Sequence, residues 1–262
     1  PMQPLIFAHA NSFPAGTYRY LFALLRERGF DVQALERFGH DARYPVTSNW
    51  PHLVQQLADF TQPLVQRWGQ PALFLGHSLG GFVSLMLDSP LINGWRAKSL
   101  EMAKRTQLID SLSPGKISRK RRNIWNTRGE ALALFQSKKS FARWHPQMLQ
   151  DYVTHGLTPT DDARLTLFFS REEETAIYNT LPHNLGQLLH LHPLHCPVGF
   201  IGGLQSKEMK QVGMDMTQKV TRGRIMMLEG SHLFPMEHPE ATAAAIEAQW
   251  RNLQIAASLR KN

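Results

Sequence analysis

Cysteine is nearly absent from the chain. Cys196 is the only one in 262 residues, so no internal disulfide can form. Stability must come from a packed core, and the chain is long enough to bury one. No apolar run approaches the roughly 20 residues of a membrane span. The chain opens on Leu5-Ile6-Phe7-Ala8 without the basic start and long apolar stretch of a signal peptide, so a cytoplasmic location is expected. Internal repeats and low-complexity tracts are missing. The twelve histidines are scattered, and no pair stands at ligand spacing with a carboxylate on one helix face. No metal and no cofactor are expected. Acidic residues are the scarcer sign, 21 against 29 Lys and Arg, giving +8. The densest basic run, Lys116, Arg119, Lys120, Arg121 and Arg122, has no zinc-ligand, RNP or helix-turn-helix signature beside it. It reads as solvated surface, and nucleic acid is not an expected partner.

What is present alternates. Leu5 to Ala8 is a short apolar run ending in a polar turn at His9 to Ser12. Tyr18, Leu21, Phe22 and Leu25 recur at helical spacing, and Gly29 stops that helix. Phe30 to Leu35 reads as a strand. Leu53, Leu57, Phe60, Leu64 and Trp68 form a second helical stripe before a buried strand, Ala72 to Leu75. This order implies a mostly parallel sheet flanked by helices, an α/β fold. Near the C-terminus, Val198 to Ile201 and Ile225 to Leu228 read as strands, and Pro239 starts a final helix. The stretch from about 90 to 193 is mainly helical, with Leu165 to Phe169 as its one strand-like run. The expected organisation is a core of residues 1–89 and 194–262 with a helical cap insertion, 90–193. Trp95, Trp125, Phe141 and Trp144 in the insertion read as core residues rather than ligand contacts.

Gly76-His77-Ser78-Leu79-Gly80 follows the strand and opens a helix at Phe82-Val83-Ser84-Leu85. This is the G-x-S-x-G pattern of a nucleophilic serine on a tight strand-to-helix turn, where flanking side chains would collide. By composition about one chain in ten of this length matches by chance, so the strand and helix around the motif carry the reading. A serine hydroxyl needs a base. His232 fits, in a loop after the last strand and before the final helix. His238, beside Pro239, reads as a helix-start residue. The ring of His77 is expected to pack beside the strand.

These residues resemble the α/β-hydrolase fold-1 superfamily, in its capped, esterase-like branch. Four segments carry the likeness: His9-Ala10-Asn11, Gly76 to Gly81, Gly202-Gly203, and Gly230 to Glu237. The resemblance implies a serine hydrolase acting on a carboxylic ester or related acyl substrate, with a Ser78–His232 pair. It also implies an oxyanion hole from the backbone N–H groups of Leu79 and Asn11. The Asn11 side-chain amide is a further donor. Ala10 stands where relatives carry glycine. Related dehalogenases place an aspartate where this chain has Ser78.

Two departures remain. Relatives place an aspartate about three residues after the glycine-ended strand, whereas Gly203 leads into Leu204-Gln205-Ser206-Lys207-Glu208. Glu208 is favoured as the acid, and Asp88 is the alternative. Only nine residues separate Ser78 from Asp88. That is too few for a helix and a following parallel strand, which need roughly a dozen or more. The reading therefore leaves open the loss of one strand after the nucleophile helix. A non-catalytic protein of the same fold that binds a ligand or partner stands as the alternative function.

Overall fold

A computed structural model describes residues 1–88, 123–182 and 194–260. Three parallel strands form the first sheet in the order β2-β1-β3: β1 (Gln3–Ala8), β2 (Phe30–Ala34) and β3 (Leu73–Gly76). A second parallel pair joins β7 (Phe200–Gly203) to β8 (Ile225–Leu228). Between them in sequence lies a small antiparallel sheet, β4 (Ile124–Trp125), β6 (Leu165–Leu167) and β5 (Leu157–Pro159), in the order β4-β6-β5.

Strand β1 shows why the architecture has two cores. Its side chains alternate across the sheet. Leu5 and Phe7 enter a cluster with Leu21, Phe22 and Leu25 of α1 (Arg19–Glu27) and with Ala243 and Ile246 of α10 (Pro239–Leu259). Ile6 and Ala8 enter a second cluster with Leu53, Val54 and Leu57 of α2 (Pro51–Trp68) and Leu79, Val83 and Met86 of α3 (Leu79–Asp88). Leu5, Ile6, Phe7 and Ala8 are all buried. Each large apolar side chain hidden here is worth about 1.5–3 kcal/mol. A parallel strand covered on both faces reads as a continuous apolar run, which Leu5 to Ala8 is.

The middle of the chain departs from the helical expectation. It carries helices α4 (Arg128–Ser137), α5 (Pro146–His155) and α6 (Arg171–Asn179), but also the three short antiparallel strands. The pairing of Leu165 to Leu167 was legible as a strand-like run. Its partners, two and three residues long, are too short to show a period of their own. Residues 123–182 share both cores: Trp125, Phe135, Trp144 and Met148 join the first cluster, Phe169 and Ile177 the second. Trp125 and Trp144 thus pack in the interior, and Phe141, half-buried, packs against that cluster. A cavity of about 300 Å³ lies between α4 and α5, lined by Leu132, Phe141, Trp144 and Leu149 among others, and no predicted catalytic residue lines it.

The segment after Ser78 is helix through Asp88, with no strand before that residue. The strand in question after Asp88, the insertion boundaries near 90 and 193, the Lys116 to Arg122 run and Trp95 lie outside the described residues. Strand β7 begins two residues later than the apolar run suggested, because Val198 lies in the approach to the sheet. Helices α7 (Lys207–Val212), α8 (Asp215–Thr221) and α9 (Phe234–Glu237) complete the fold. Among the described residues no helix is long and apolar enough to cross a membrane.

Trp50 ties α2 to α6 within the second cluster. It is fully buried at the N-cap of α2, in the left-handed region at φ 59°. Its indole N–H donates to the Ile177 carbonyl (3.1 Å) and to Thr180 Oγ1 (3.0 Å) at the end of α6. Trp50→Ala should lower unfolding free energy by about 3–5 kcal/mol through the cavity it leaves. A urea midpoint unchanged from the parent would refute this.

Candidate active site

Strand β3 ends at Gly76, His77 continues the pairing by donating its N–H to the Ala8 carbonyl (3.1 Å), and α3 begins at Leu79. The chain therefore reverses over two residues. Ser78 takes φ 53°, a left-handed conformation that costs a non-glycine residue about 1–3 kcal/mol. The flanking glycines are dictated by the close approach. A Cβ on Gly80 would fall 1.9 Å from the Ala8 carbonyl oxygen, and one on Gly76 would fall 2.3 Å from the Gly80 carbonyl carbon. Gly81 differs: its Cβ would meet nothing nearer than 3.4 Å, so the third glycine is not demanded in the same way.

The turn after β1 lies beside this junction. Its backbone N–H at Asn11, and that of Leu79 at the first turn of α3, donate to no protein acceptor among the described residues. The Leu79 N–H stands at the positive end of a helix dipole, where an anionic oxygen is favoured. The Asn11 side chain is committed elsewhere. Its Nδ2 donates to the Glu174 carbonyl of α6 (3.1 Å), while Oδ1 is buried with no partner among the described residues. The amide thus anchors the turn to the insertion, and the backbone N–H is the donor left over.

His232 sits in the loop from β8 to α9 and is partly buried. Three contacts fix this loop. Gly203, at the end of β7, has the loop backbone across it: a Cβ there would lie 2.2 Å from the Ser231 carbonyl oxygen. Gln205 donates its N–H to the Gly230 carbonyl (2.9 Å) and accepts from the Gly230 N–H through its side chain (2.6 Å). Glu237, a buried carboxylate, accepts from the Ser231 N–H (2.7 Å) and hydroxyl (2.9 Å). His238 is the N-cap of α10, as the sequence suggested.

His77 joins the three parts. Its Nε2 lies 2.9 Å from the His232 carbonyl oxygen, and its Nδ1 lies 2.8 Å from Tyr18 Oη. Tyr18 Oη in turn accepts from the Ala10 N–H (3.2 Å). The His77 and His232 rings are 5.5 Å apart between centroids. Since Ser78 follows His77, the elbow brings the serine and the His232 loop together. Among the described residues no hydrogen bond connects the Ser78 hydroxyl to the His232 ring, or that ring to a carboxylate. Such bonds are often loose without substrate.

The two candidate acids part company. Burial lowers the His232 pKa below its usual 6.5, and the charge of Glu208 partly restores it. Glu208, exposed in the first turn of α7, accepts from the Ser206 hydroxyl (3.2 Å). Asp88 lies elsewhere, at the end of α3, where Oδ2 accepts from the Cys196 N–H (3.1 Å) and its carbonyl meets His195 Nδ1 (2.8 Å). Ending α3 at Asp88 points that carboxylate at the approach to β7, away from the His232 loop. Cys196 belongs to an exposed stretch, and partial burial of its sulfur, then the Asp88 carboxylate, push the thiol up to about 11. Among the described residues no group of His, Cys, Asp and Glu is arranged to hold a metal.

Sequence reasoning overlooked Tyr18, Gln205 and Glu237. Tyr18 read only as a stripe residue, since nothing in spacing shows where a hydroxyl reaches. Glu237 had a local signal, an acid six residues after Ser231 in a turn.

The model of the family described as "Alpha/beta hydrolase family" matches residues 5–245. Solved structures with the same fold include the peroxisomal alpha-beta-hydrolase Lpx1 from Saccharomyces cerevisiae. It has 17% identity and a TM-score of 0.67, and the match covers 96% of this chain and 76% of that one. E-2-(acetamidomethylene)succinate hydrolase has 17% identity and a TM-score of 0.68, with 96% and 91% covered. An esterase of M. tuberculosis has 17% identity and a TM-score of 0.62, with 94% and 84% covered. No protein of curated function matches the sequence.

Burial holds His77 neutral, with its pKa lowered to about 3, and His9 likewise, lowered to about 4. His9 is locked by the Phe38 N–H donating to its Nε2 (2.8 Å) and by its own Nδ1 against the Ala10 carbonyl (2.7 Å). The unfolded chain takes up these two protons near pH 6.5 and the folded chain only near 4 and 3. Stability is therefore full above 6.5 and is lost as pH falls below it. Between pH 7 and pH 5 the loss should be about 2 kcal/mol per histidine, read from urea unfolding. Equal stability at the two pH values would contradict the buried neutral assignment.

Proposed function

Because the chain belongs to the alpha/beta hydrolase family, we propose that it is a serine hydrolase cleaving a carboxylic ester or related acyl substrate at Ser78. The observation that carries this reading is the strained Ser78, at φ 53° on the β3–α3 turn, with the next residue back bonded to the His232 loop. A strained serine with no bond to its hydroxyl among the described residues has no evident packing purpose. Strain of this kind concentrates where chemistry needs a group held out of its comfortable conformation.

In the proposed reaction His232 takes the Ser78 proton as the hydroxyl oxygen attacks the acyl carbonyl. The carbonyl oxygen becomes an oxyanion held by the Leu79 and Asn11 N–H groups. His232 then gives its proton to the leaving alcohol, and an ester forms on Ser78. Water then attacks the Ser78 ester while losing a proton to His232, and the imidazolium returns that proton to the Ser78 oxygen as the acyl–oxygen bond breaks, which releases the acid and restores the neutral base. Burial supports this role, since a base must be neutral and His232 is kept neutral below its usual range. Glu208 supplies the opposing charge that steadies the imidazolium during the reaction. Esterase and hydrolase neighbours of the same fold support an acyl substrate. The absence, among the described residues, of a bond from the His232 ring to a carboxylate favours the second reading, a ligand-binding protein without turnover.

Ser78→Ala should abolish covalent labelling by a fluorophosphonate and lower p-nitrophenyl acetate hydrolysis by about 10³-fold or more. Labelling of the variant equal to the parent would end the nucleophile assignment, and a parent that neither labels nor hydrolyses would leave the binding reading. Glu208 raises the His232 pKa, so Glu208→Gln should move the acid limb of the labelling-rate profile to lower pH, whereas Asp88→Asn should leave it in place. A shift with Asp88→Asn alone would reverse the choice of acid.

A further inference from the structure

His77 is a motif position with no role in the proton transfers above, yet it is the most constrained side chain near them. We propose that His77 is a positioning residue, whose ring carries the His232 loop and the Asn11 turn as one rigid unit by donating to the His232 backbone carbonyl. The inference rests on the reading of Ser78 and His232 given above.

The hydrogen bonds fix the direction of every proton in the chain. The Ala10 N–H donates to Tyr18 Oη, so this oxygen is an acceptor there and its own hydrogen is free to point elsewhere. The His232 carbonyl only accepts, so His77 Nε2 carries the hydrogen. Nδ1 is then the bare nitrogen, and Tyr18 O–H donates to it. The sequence Ala10 N–H to Tyr18, Tyr18 to His77, His77 to His232 runs in one sense with no conflict. Tyr18 is fully buried and His77 nearly so, which keeps competing water out.

The elements joined are the ones the proposed reaction needs. Ala10 precedes the oxyanion residue Asn11. His77 precedes Ser78. The accepting carbonyl belongs to His232 itself, so the bond sets the height of the very residue whose ring must meet the serine. The rings that face His77 are Tyr18, His232 and Phe234. The titratable groups that act on the His77 ring are His232 and His9, and both, like burial, disfavour its charged form. Single side chains of similar shape separate positioning from space filling. A glutamine amide nitrogen reaches about as far as Nε2 and can donate to the His232 carbonyl. An asparagine amide reaches only the place of Nδ1 and cannot.

The test compares His77→Gln with His77→Asn against the parent, using two measurements. The first is the rate of Ser78 labelling at saturating fluorophosphonate. The second, independent of activity, is amide hydrogen exchange over residues 230–236. His77→Asn should slow labelling by about tenfold and speed exchange in the loop by about the same factor, by loss of one buried hydrogen bond. His77→Gln should stay within about threefold of the parent in both, even where its melting temperature falls as far as that of His77→Asn. Equal behaviour of the two variants, in loop exchange above all, would overturn the positioning role. The exchange difference between the two variants, found together with a parent that shows no Ser78 labelling, would instead sustain the positioning and defeat the proposed reaction.

Discussion

The approach of α3 onto β1 is the contact on which the rest depends. Gly80 lies so close to the Ala8 carbonyl that a single added carbon would overlap it. The Ala8 oxygen also accepts the His77 N–H, which holds the residue before the serine against the end of β1. From that contact follow the reversal at Ser78, the free N–H at Leu79 and the nearness of the Asn11 turn. The local strain is affordable because two hydrophobic clusters, one on each face of β1, clamp the strand from both sides.

A similar crowding organises the second half of the site. The backbone of the His232 loop crosses β7 at Gly203, where a side chain would meet the Ser231 carbonyl. Gln205 and Glu237 then hold the loop by backbone bonds rather than by contacts to the His232 ring. Among the described residues these bonds pin the main chain of the loop without engaging the His232 ring, as the proposed proton transfers require. The two halves meet through one neutral imidazole, His77, and its partner Tyr18. Helix α6 adds a third tether, bonded by the Asn11 amide and by Trp50. Side chains from residues 123–182 enter both cores, so the candidate site stands on packing that this stretch helps to supply.

Tested against this geometry, the two departures noted in the sequence resolve unequally. The carboxylate whose charge reaches His232 is Glu208, although no hydrogen bond joins them, and Asp88 is occupied at Cys196. The shortness of the segment after Ser78 is accounted for as far as Asp88, where all of it is helix.

The sequence by itself determined the strand–turn–helix around Ser78, the β8 strand and loop carrying His232, and the parallel α/β plan. These are set by local physics: a short continuous apolar run, a helical stripe, and glycines where a backbone must approach another. It also marked His238 as a helix start. Tertiary structure alone decided what depends on distance between remote segments. The pairing of β4 and β5 with β6 is one case, since strands of two or three residues carry no period. The hydroxyl of Tyr18 reaching His77 across 59 positions is another, as is the parting of Glu208 from Asp88. Sequence shows which groups exist and which way a segment repeats. Only the folded chain, by bringing backbone carbonyls and side chains within hydrogen-bond reach, decides which of them meet.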